Sequence, residues 1–571
     1  MRPTAHERPP ARLNAAAGIG AVVVSVATLI ASLFASPVLA DPLVGDEAAA
    51  ISAKSPFPDR CGVPGVQTGA EVGPVLAVNP HRPRYIVAAW EQDVDEGEQA
   101  LSVPVAVSRD GGETFQHVLV PGLSRCTGGA ATYAAEPSLA YGLDGTLYLA
   151  TRASSADTHV QVSRSRTNGL TWEDPLEVAR EARRGVIATD PAVPGRAYAA
   201  VTAGRPEGAA IALATTTNAG SSWSPPRSIY APLAAAPALH DLAVGPDGAL
   251  LLVLEQSTPL PPATPGEEGT PILVMRSSDR GESWSEPIEI GRLPDTLLPH
   301  DPEHGEPGKN EGAVGAPAIA TVTATSTGAI VAWQSNLALD EGQILVVRST
   351  DGGASWSEPA PAVSPGAQVF TPELAAAHDG TLALSWYDLR SDRPGDGELT
   401  TSAHLAHSHD GGQSWTEVGL GKPFDLRRAP EHYGHSLGFR QGLAPLGGGF
   451  AAAFVQAPPE ALDGPSDVFL ARLTPPRTTS RITLRVRPRV VPVRRRTRFR
   501  FHATVRSGGA ARPVAGARIT FAGKRMTADT RGRAAIVAKL RQAGRHRARA
   551  SKPSFRSGRA TVRATRAPRR R

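Results

Sequence analysis

The sequence predicts an all-β protein built from many short strands. Three observations support this class: one turn phrase recurs six times, short apolar segments alternate with Gly or Pro turns between its copies, and Gly and Pro are abundant. The 571 residues include 57 Gly and 52 Pro. A hydrophobic content of 41% with 20% charged residues excludes a mostly disordered chain and a polytopic membrane protein.

The recurring phrase has the pattern Ser/Thr-x-Asp-x-Gly-x-Ser/Thr-Trp/Phe, and its copies begin 57, 51, 61, 72 and 59 residues apart. An Asp or Asn side chain can accept backbone N–H bonds within a hairpin turn, and Gly can adopt positive φ without a steric penalty. We therefore expect a structural role for the polar residue at Asp110, Asn218, Asp279, Asp351 and Asp410. In the second copy this residue is Thr167, so a looser turn is expected there.

Two further apolar segments precede each copy, as in residues 74–80 and 85–90. Together with the strands that enter and leave the turn they make four strands per unit, at a period typical of propeller blades. A seventh unit, residues 442–473, has three strands and no turn phrase. We expect an N-terminal strand within residues 41–70 to complete its sheet and close the ring. This count favours seven blades, with six as the alternative.

The turn phrase resembles the Asp box of the sialidase-like BNR-repeat propellers. The resemblance implies a β-propeller over residues 41–474 that acts on or binds glycans at the face opposite the Asp-box turns. Sialidases hold a sugar carboxylate with three arginines and use a Tyr nucleophile, a Glu that activates it and an Asp acid/base. The matching residue types here are Arg390, Arg428 and Arg440 for the arginine set, Tyr433 with Glu431, and Asp388 or Asp93, with Asp93 also a substrate-binding candidate.

The chain departs from the family pattern at one point and leaves simpler interpretations open. It has no copy of the Arg-Ile-Pro signature, because residues 83–86 lack that order, so one arginine of the set has no assignable position. Asp388 and Arg390 can form an ion pair that orders a loop, and residues 431–434 can be a closing turn of the ring. His300, Asp301 and His304 have metal-binding side chains, but their Pro- and Gly-rich surroundings favour a solvated loop.

The N-terminal region predicts export. An apolar run over residues 15–36 follows three arginines and precedes a small-x-small pattern, which is typical of a signal peptide spanning residues 1–40. An uncleaved anchor is the alternative. Cys61 and Cys126 fit one disulfide in an oxidising compartment. The residue spacing predicts no metal site and no cofactor.

The composition changes sharply after residue 474. Residues 475–571 contain 30 Lys and Arg and one acid, whereas residues 1–474 contain 30 Lys and Arg against 53 acids. We expect a linker at 475–480, a basic β-sandwich at 481–565 and a basic tail at 566–571. The sandwich resembles bacterial Ig-like domains. Such a domain can bind an anionic cell-envelope polymer, whereas scarce aromatic residues disfavour specific nucleic-acid recognition.

These expectations combine into one function and one alternative. The chain is expected to be a secreted or cell-envelope protein whose propeller binds or acts on glycans or other anionic ligands, with exo-α-sialidase-type hydrolysis as the specific activity. The alternative is a non-catalytic propeller that binds glycans or proteins. Propellers perform both kinds of function, so fold alone does not decide between them.

Overall fold

The computed structural model describes residues 43–97, 99–205, 208–233, 235–257, 269–293, 319–336, 342–393, 395–431, 434–475, 481–507, 510–552 and 555–566. The expected signal peptide lies outside these residues, as do His300, Asp301, His304 and Tyr433. Within the described ranges, no helix is long and apolar enough to cross a membrane.

The described residues form an all-β structure with three short 3-10 helices, Arg60–Gly62, Arg125–Thr127 and Leu426–Arg428. Two short strands come first, β1 (Val44–Gly45) and β2 (Ala49–Ala50). The first sheet contains β3 (Glu71–Val78), β4 (Ile86–Val94), β5 (Ala100–Ser102), β6 (Pro104–Ser108) and β7 (Gln116–Leu119). The second contains β8 (Tyr133–Tyr141), β9 (Leu147–Ser154), β10 (Thr158–Ser165) and β11 (Leu176–Arg180).

Five more sheets follow in chain order. The third contains β12 (Ala182–Thr189), β13 (Ala197–Arg205), β14 (Gly208–Thr216) and β15 (Arg227–Tyr230), and the fourth contains β16 (Ala236–Val244), β17 (Leu250–Ser257), β18 (Thr270–Ser277) and β19 (Ile288–Leu293). The fifth contains β20 (Ala320–Thr325), β21 (Gly328–Asn336), β22 (Gly342–Ser349) and β23 (Ala360–Val363). The sixth contains β24 (Val369–Ala376), β25 (Leu382–Asp388), β26 (Thr400–Ser408) and β27 (Thr416–Asp425). The seventh contains β28 (Gly442–Leu446), β29 (Gly449–Gln456) and β30 (Asp467–Thr474), joined by β1 and β2.

These seven sheets share cores with their neighbours in a closed series. Each consecutive pair encloses one cluster of buried apolar side chains, and a further cluster joins the seventh sheet to the first through Trp90 and Leu470. The first strands β3, β8, β12, β16, β20, β24 and β28, called here the inner strands, contact one another around the series. This closed arrangement of seven sheets, five with four strands and two with five, is consistent with a β-propeller.

The N-terminal segment closes the series, as expected from the missing strand of the seventh unit. Strand β1 pairs antiparallel with the end of β30, where Val44 lies opposite Thr474, and β2 pairs with the same strand at Phe469 and Leu470. Both pairings cover an edge that would otherwise expose unpaired backbone groups. The expected disulfide between Cys61 and Cys126 is present and ties this segment to the first sheet's surroundings.

The Asp-box turns form the expected hydrogen bonds. Asp410 Oδ1 accepts from the backbone N–H groups of Gln413 and Ser414 at 3.0 and 2.9 Å, and Ser414 Oγ donates to Asp410 Oδ2 at 2.6 Å. Burial would raise the pKa of Asp410, but these bonds outweigh it and lower the pKa. Thr167 retains two such bonds, from the Thr171 N–H at 2.8 Å and with Thr171 Oγ1 at 2.7 Å, and it lacks the second backbone bond.

The last two sheets enclose one separate core. The eighth contains β31 (Thr483–Arg487), β33 (Arg496–Ser507), β34 (Ala510–Pro513) and β37 (Arg533–Lys539). The ninth contains β32 (Val490–Pro492), β35 (Arg518–Phe521), β36 (Lys524–Thr527), β38 (Gly544–Ser551) and β39 (Gly558–Thr565). Phe499 and Phe501 from the eighth sheet pack on Phe521 from the ninth, inside a cluster of buried apolar residues.

Candidate functional site

The inner strands share a shift in register near their N-terminal ends. Five of them, β3, β8, β12, β16 and β24, shift register against the second strand of their sheet there. Non-glycine residues adopt positive φ in three of the shifts, at Glu136 (53°), Arg184 (44°) and Thr371 (51°). A positive φ at such residues is costly and is concentrated at functional sites. The irregularities therefore indicate a candidate functional site at the N-terminal ends of the inner strands.

This end lies opposite the Asp-box turns. The third sheet shows this. At one edge Ala182, at the start of β12, pairs with Ala203, and Ala203 pairs with Ala210. At the other edge Thr189, at the end of β12, pairs with Ala197, and Ala197 pairs with Thr216. The Asp box begins at Thr216, so Arg184 and its equivalents occupy the opposite edge. Charged side chains from several inner strands gather there.

Arg440 is central to this cluster. Its Nη2 donates to the carbonyl oxygen of His240 at 2.5 Å and lies 3.6 Å from Asp241 Oδ1, and its Nη1 lies 3.6 Å from Glu373 Oε2. Thr321 Oγ1 lies 3.2 Å from Asp241 Oδ2 and 3.5 Å from Glu373 Oε1. One guanidinium and one hydroxyl thus join two carboxyl groups from different sheets.

The two carboxyl groups have different surroundings. Asp241 also accepts backbone N–H bonds from Val322 and Leu242, both at 2.9 Å. Burial raises the pKa of Glu373 to about 8, even though Arg440 acts in the opposite direction. Glu373 therefore keeps its proton at neutral pH.

His240 is held as a neutral ring. Its Nδ1 accepts from the backbone N–H of Ala320 at 2.8 Å, so the remaining ring nitrogen carries the proton and faces Glu255 Oε2 at 3.3 Å. Burial lowers the pKa of His240. Burial would raise the pKa of Glu255, but the bond to His240 lowers it overall. Glu255 is therefore the ionised acceptor of this pair.

Arg184 differs from the other charged groups because it lacks a partner. No hydrogen bond or ion pair joins its guanidinium to any described residue. Burial and the neighbouring charge of Arg440 lower its pKa to about 10, so it stays cationic at neutral pH. It lines a surface depression of about 790 Å³, together with Arg183, His240 and Glu255. A smaller cavity of about 30 Å³ lies between Arg184, Arg440, Glu91 and Glu136.

The carboxylates nearest Arg184 along the ring are already paired. Arg152 Nε contacts Glu136 Oε1 at 2.6 Å, and Glu91 Oε1 accepts from the backbone N–H of Glu136 at 2.9 Å. The Asp241 and Glu373 carboxyl groups are shared with Arg440. Glu136, Asp241 and Glu255 attract the Arg184 guanidinium electrostatically but none of them forms a hydrogen bond or ion pair with it. Its N–H donors therefore lack a bonded anion at the depression, an arrangement that can accept a ligand carboxylate, sulfate or phosphate.

The structure places the sequence-predicted residues in several locations. Asp388 and Arg390 form the ion pair that was the simpler interpretation, with Arg390 Nη2 2.6 Å from both Asp388 Oδ2 and Glu417 Oε1. Trp386 Nε1 donates to the same Asp388 oxygen at 2.8 Å. Burial would raise the pKa of Asp388, but bonds from His404, Arg390 and Trp386 lower it to about 2. A low pKa is the opposite of what a general acid requires.

The remaining predicted residues are not gathered around Arg440. Arg428 is exposed at the end of a 3-10 helix. The Glu431 backbone bonds to the Gln67 side chain through its N–H and carbonyl groups. Asp93 is fully buried and accepts from Ser55 Oγ at 2.5 Å and from the Gly69 N–H at 2.7 Å, so it orders the N-terminal segment. Tyr433 lies outside the described residues, so its role stays a prediction.

Sequence reasoning included Arg440 but missed the rest of the cluster. The sequence does contain a signal, because the missed residues occupy one repeated place in the opening of each unit. Glu136-Pro137, Arg184-Gly185, His240-Asp241 and Thr371-Pro372-Glu373 align with Gly73-Pro74. At this place in each of these units a polar or charged residue occupies the position of Gly73, and the register shifts there.

Comparisons with known proteins show no family for this chain. No protein-family model and no curated protein matches the chain. A protein of unknown function from Dyadobacter fermentans shares 13% identity at a TM-score of 0.42, over 76% of this chain and 99% of its own. An α-L-arabinofuranosidase from Fusarium graminearum shares 16% identity at 0.40, over 64% and 98%, and the Trypanosoma rangeli sialidase shares 13% at 0.39, over 76% and 60%. Similarity at this level assigns no activity.

A metal centre is not evident in the part of the chain that the structure describes. No group of three or more His, Cys, Asp or Glu side chains there is arranged to hold a metal ion.

Proposed function

We propose that the chain is an exported, sialidase-like Asp-box propeller of seven blades that binds glycans carrying an anionic group. The seven sheets that share cores in a closed series support the blade count. The C-terminal two-sheet unit is then the Ig-like domain expected from the sequence. Its basic composition supports contact with an anionic polymer of the cell envelope.

The observation that carries the ligand assignment is the unpaired Arg184 guanidinium. A buried or half-buried charge without a partner is costly, and functional sites are where such costs persist. An acidic sugar supplies a bonded anion for Arg184, and its hydroxyl groups can bond to Glu255 and the backbone at the depression. Neutral glycans would leave Arg184 unpaired.

A glycan array containing acidic and neutral members of the same backbone tests this proposal. We expect signals confined to carboxylated or sulfated glycans, and we expect Arg184→Gln to remove them. Binding to neutral members with equal strength would contradict the assignment of Arg184 to an anionic group.

Glycoside hydrolysis is the second candidate, and the Asp241–Glu373 pair favours it. Two neighbouring carboxyl groups, one of which keeps its proton at neutral pH, can divide the roles of acid and base. Protonated Glu373 would donate to the leaving group, while the side-chain oxygens of Asp241 would stabilise the positive charge that develops at the anomeric carbon. A sialidase-type reaction would instead use Tyr433 and Glu431, as the sequence predicts.

A panel of fluorogenic glycosides separates these possibilities from simple binding. Release from an α-sialoside that is lost in Tyr433→Phe supports the sialidase-type reaction. Release from another acidic glycoside that is lost in Glu373→Gln supports the carboxyl pair. If no member of the panel responds while the array does, the protein is a non-catalytic glycan-binding propeller.

A further inference from the structure

The C-terminal two-sheet unit, made of the eighth and ninth sheets, is basic almost entirely through arginine. Residues 475–571 contain 27 Arg but only 3 Lys, with Asp529 as the one acid. The Asp529 carboxylate accepts from the backbone N–H groups of Arg531 and Arg533 at 3.0 and 2.7 Å, so it is engaged in a turn. The guanidinium groups of this unit therefore have almost no carboxylate to neutralise them from within the unit.

Exposed arginines of the ninth sheet form one of two arginine faces. Arg545, Arg547 and Arg549 alternate with buried residues along β38, and their spacing is about 7 Å because every second residue of a strand faces the same side. Across the strand pair, Arg563 lies directly opposite Arg545 and Arg559 directly opposite Arg549. Like charges in directly opposed positions destabilise a sheet.

The eighth sheet repeats this arrangement on the other side of the core. Arg496, Arg498 and Arg500 are exposed at alternate positions of β33, with Lys539 opposite Arg496 and Arg487 opposite Arg500. The inward-facing residues of both sheets meet in the single apolar cluster around Phe521. The two arginine faces therefore lie on opposite sides of one sandwich.

We propose that these two faces each bind a segment of a linear phosphodiester polymer without bases, and that the unit thereby bridges two polymer segments. The planar fork of Arg binds phosphate oxygens in pairs, and bound phosphates offset the repulsion between opposed arginines. The aromatic residues of these strands, Phe499, Phe501 and Phe521, are buried, so neither face offers a platform for base stacking. The proposal deepens the envelope-polymer part of the proposed function and does not depend on the propeller site.

Bridging follows from the geometry of the two faces. Packed sheets are separated by about 10 Å, and the side chains on the two outer faces point in opposite directions. A straight polymer segment can lie along β38 or along β33 but not along both. Bivalent binding should therefore link polymer chains into a network, which a single cationic face would not do.

Titration of the purified protein with poly(glycerol phosphate) at several salt concentrations tests the proposal, with light scattering recorded in parallel. We expect binding whose affinity falls steeply with salt, together with strong scattering near charge equivalence. In Arg545→Gln/Arg547→Gln/Arg549→Gln or Arg496→Gln/Arg498→Gln/Arg500→Gln, binding should persist while scattering is lost. Combining both sets should weaken binding at least 30-fold and lower the salt slope by about 2 or more.

A matched control removes three exposed arginines from the first sheet's turns, as Arg82→Gln/Arg84→Gln/Arg109→Gln. This variant has the same change in net charge and should bind and scatter like the parent protein. Scattering that survives loss of either face would overturn the bridging, and unchanged affinity after loss of both faces would overturn the site. An oligo(dT) of equal phosphate number that binds 10-fold tighter than poly(glycerol phosphate) would show that nucleic acid is the partner instead. A failure of the glycan array leaves these results unaffected.

Discussion

Replacing Glu373 with Gln should change how stability depends on pH, because this group holds a proton in the folded protein. Its pKa is raised from 4.5 to about 8 by burial. A folded pKa above the unfolded value means that unfolding releases a proton between these two pH values. The stabilisation from the protonated group is complete below pH 4.5 and is lost as pH rises to about 8. Gln resembles the protonated acid, so Glu373→Gln should lack this loss.

The structure sets the size of the effect. Because one pKa unit corresponds to about 1.4 kcal/mol, crossing the whole window costs the parent protein at most about 5 kcal/mol. Sharing of Arg440 between Asp241 and Glu373 will reduce that figure. Urea unfolding from pH 5 to pH 9 should therefore show Glu373→Gln gaining several kcal/mol on the parent protein as pH rises.

Glu255→Gln provides a control of opposite sign. The pKa of Glu255 is lowered by its bond to His240, so its contribution is present above the unfolded pKa and is lost as pH falls. This variant should be less stable than the parent at neutral pH and approach it in acid. Parallel stability curves for the parent protein and Glu373→Gln would refute the reasoning, because they would show that Glu373 is ionised beside Arg440.

Three further predictions concern the scaffold and the sequence-predicted nucleophile. Asp410→Ala should lower the free energy of unfolding by about 1–2 kcal/mol in a chemical denaturation experiment, and Asp410→Thr by less, since Thr167 makes two turn bonds at the equivalent position of the second copy. Titration of the unfolded, unreduced protein should find no reactive thiol, because Cys61 and Cys126 are bonded. If an α-sialoside is hydrolysed, Tyr433→Phe should abolish turnover in the fluorogenic assay and leave binding largely intact.

The scaffold was predictable from the sequence because its signals are local. The Asp-box hydrogen bonds join residues no more than four positions apart, so the phrase around Asp410 or Asp351 specifies its own turn. The missing strand of the seventh unit followed from counting, and β1 and β2 pair with that sheet. These features require no knowledge of how distant residues meet.

The candidate site was less predictable because it depends on bulges and on residues far apart in the chain. Arg440 contacts His240, which lies 200 positions away in the chain, and no local sequence pattern predicts that contact. The side chains of Glu136 and Arg184 are directed by positive φ values that such residues rarely adopt. Arg, Asp and Tyr residues in long loops are the visible signal in the sequence, and at Asp388 and Arg390 the same residue types and spacing form a structural ion pair.

The most direct test of the anionic-glycan site is a calorimetric titration with a matched pair of glycans, such as sialyllactose and lactose or the equivalent pair from the array. The parent protein should bind the acidic member at least 10-fold tighter, since one charge-assisted contact contributes about 1.5–3 kcal/mol. Arg184→Gln should abolish this preference, whereas Arg183→Gln, the same charge change at an exposed neighbour lining the same depression, should retain most of it. An undiminished preference for the acidic glycan in Arg184→Gln would contradict the account.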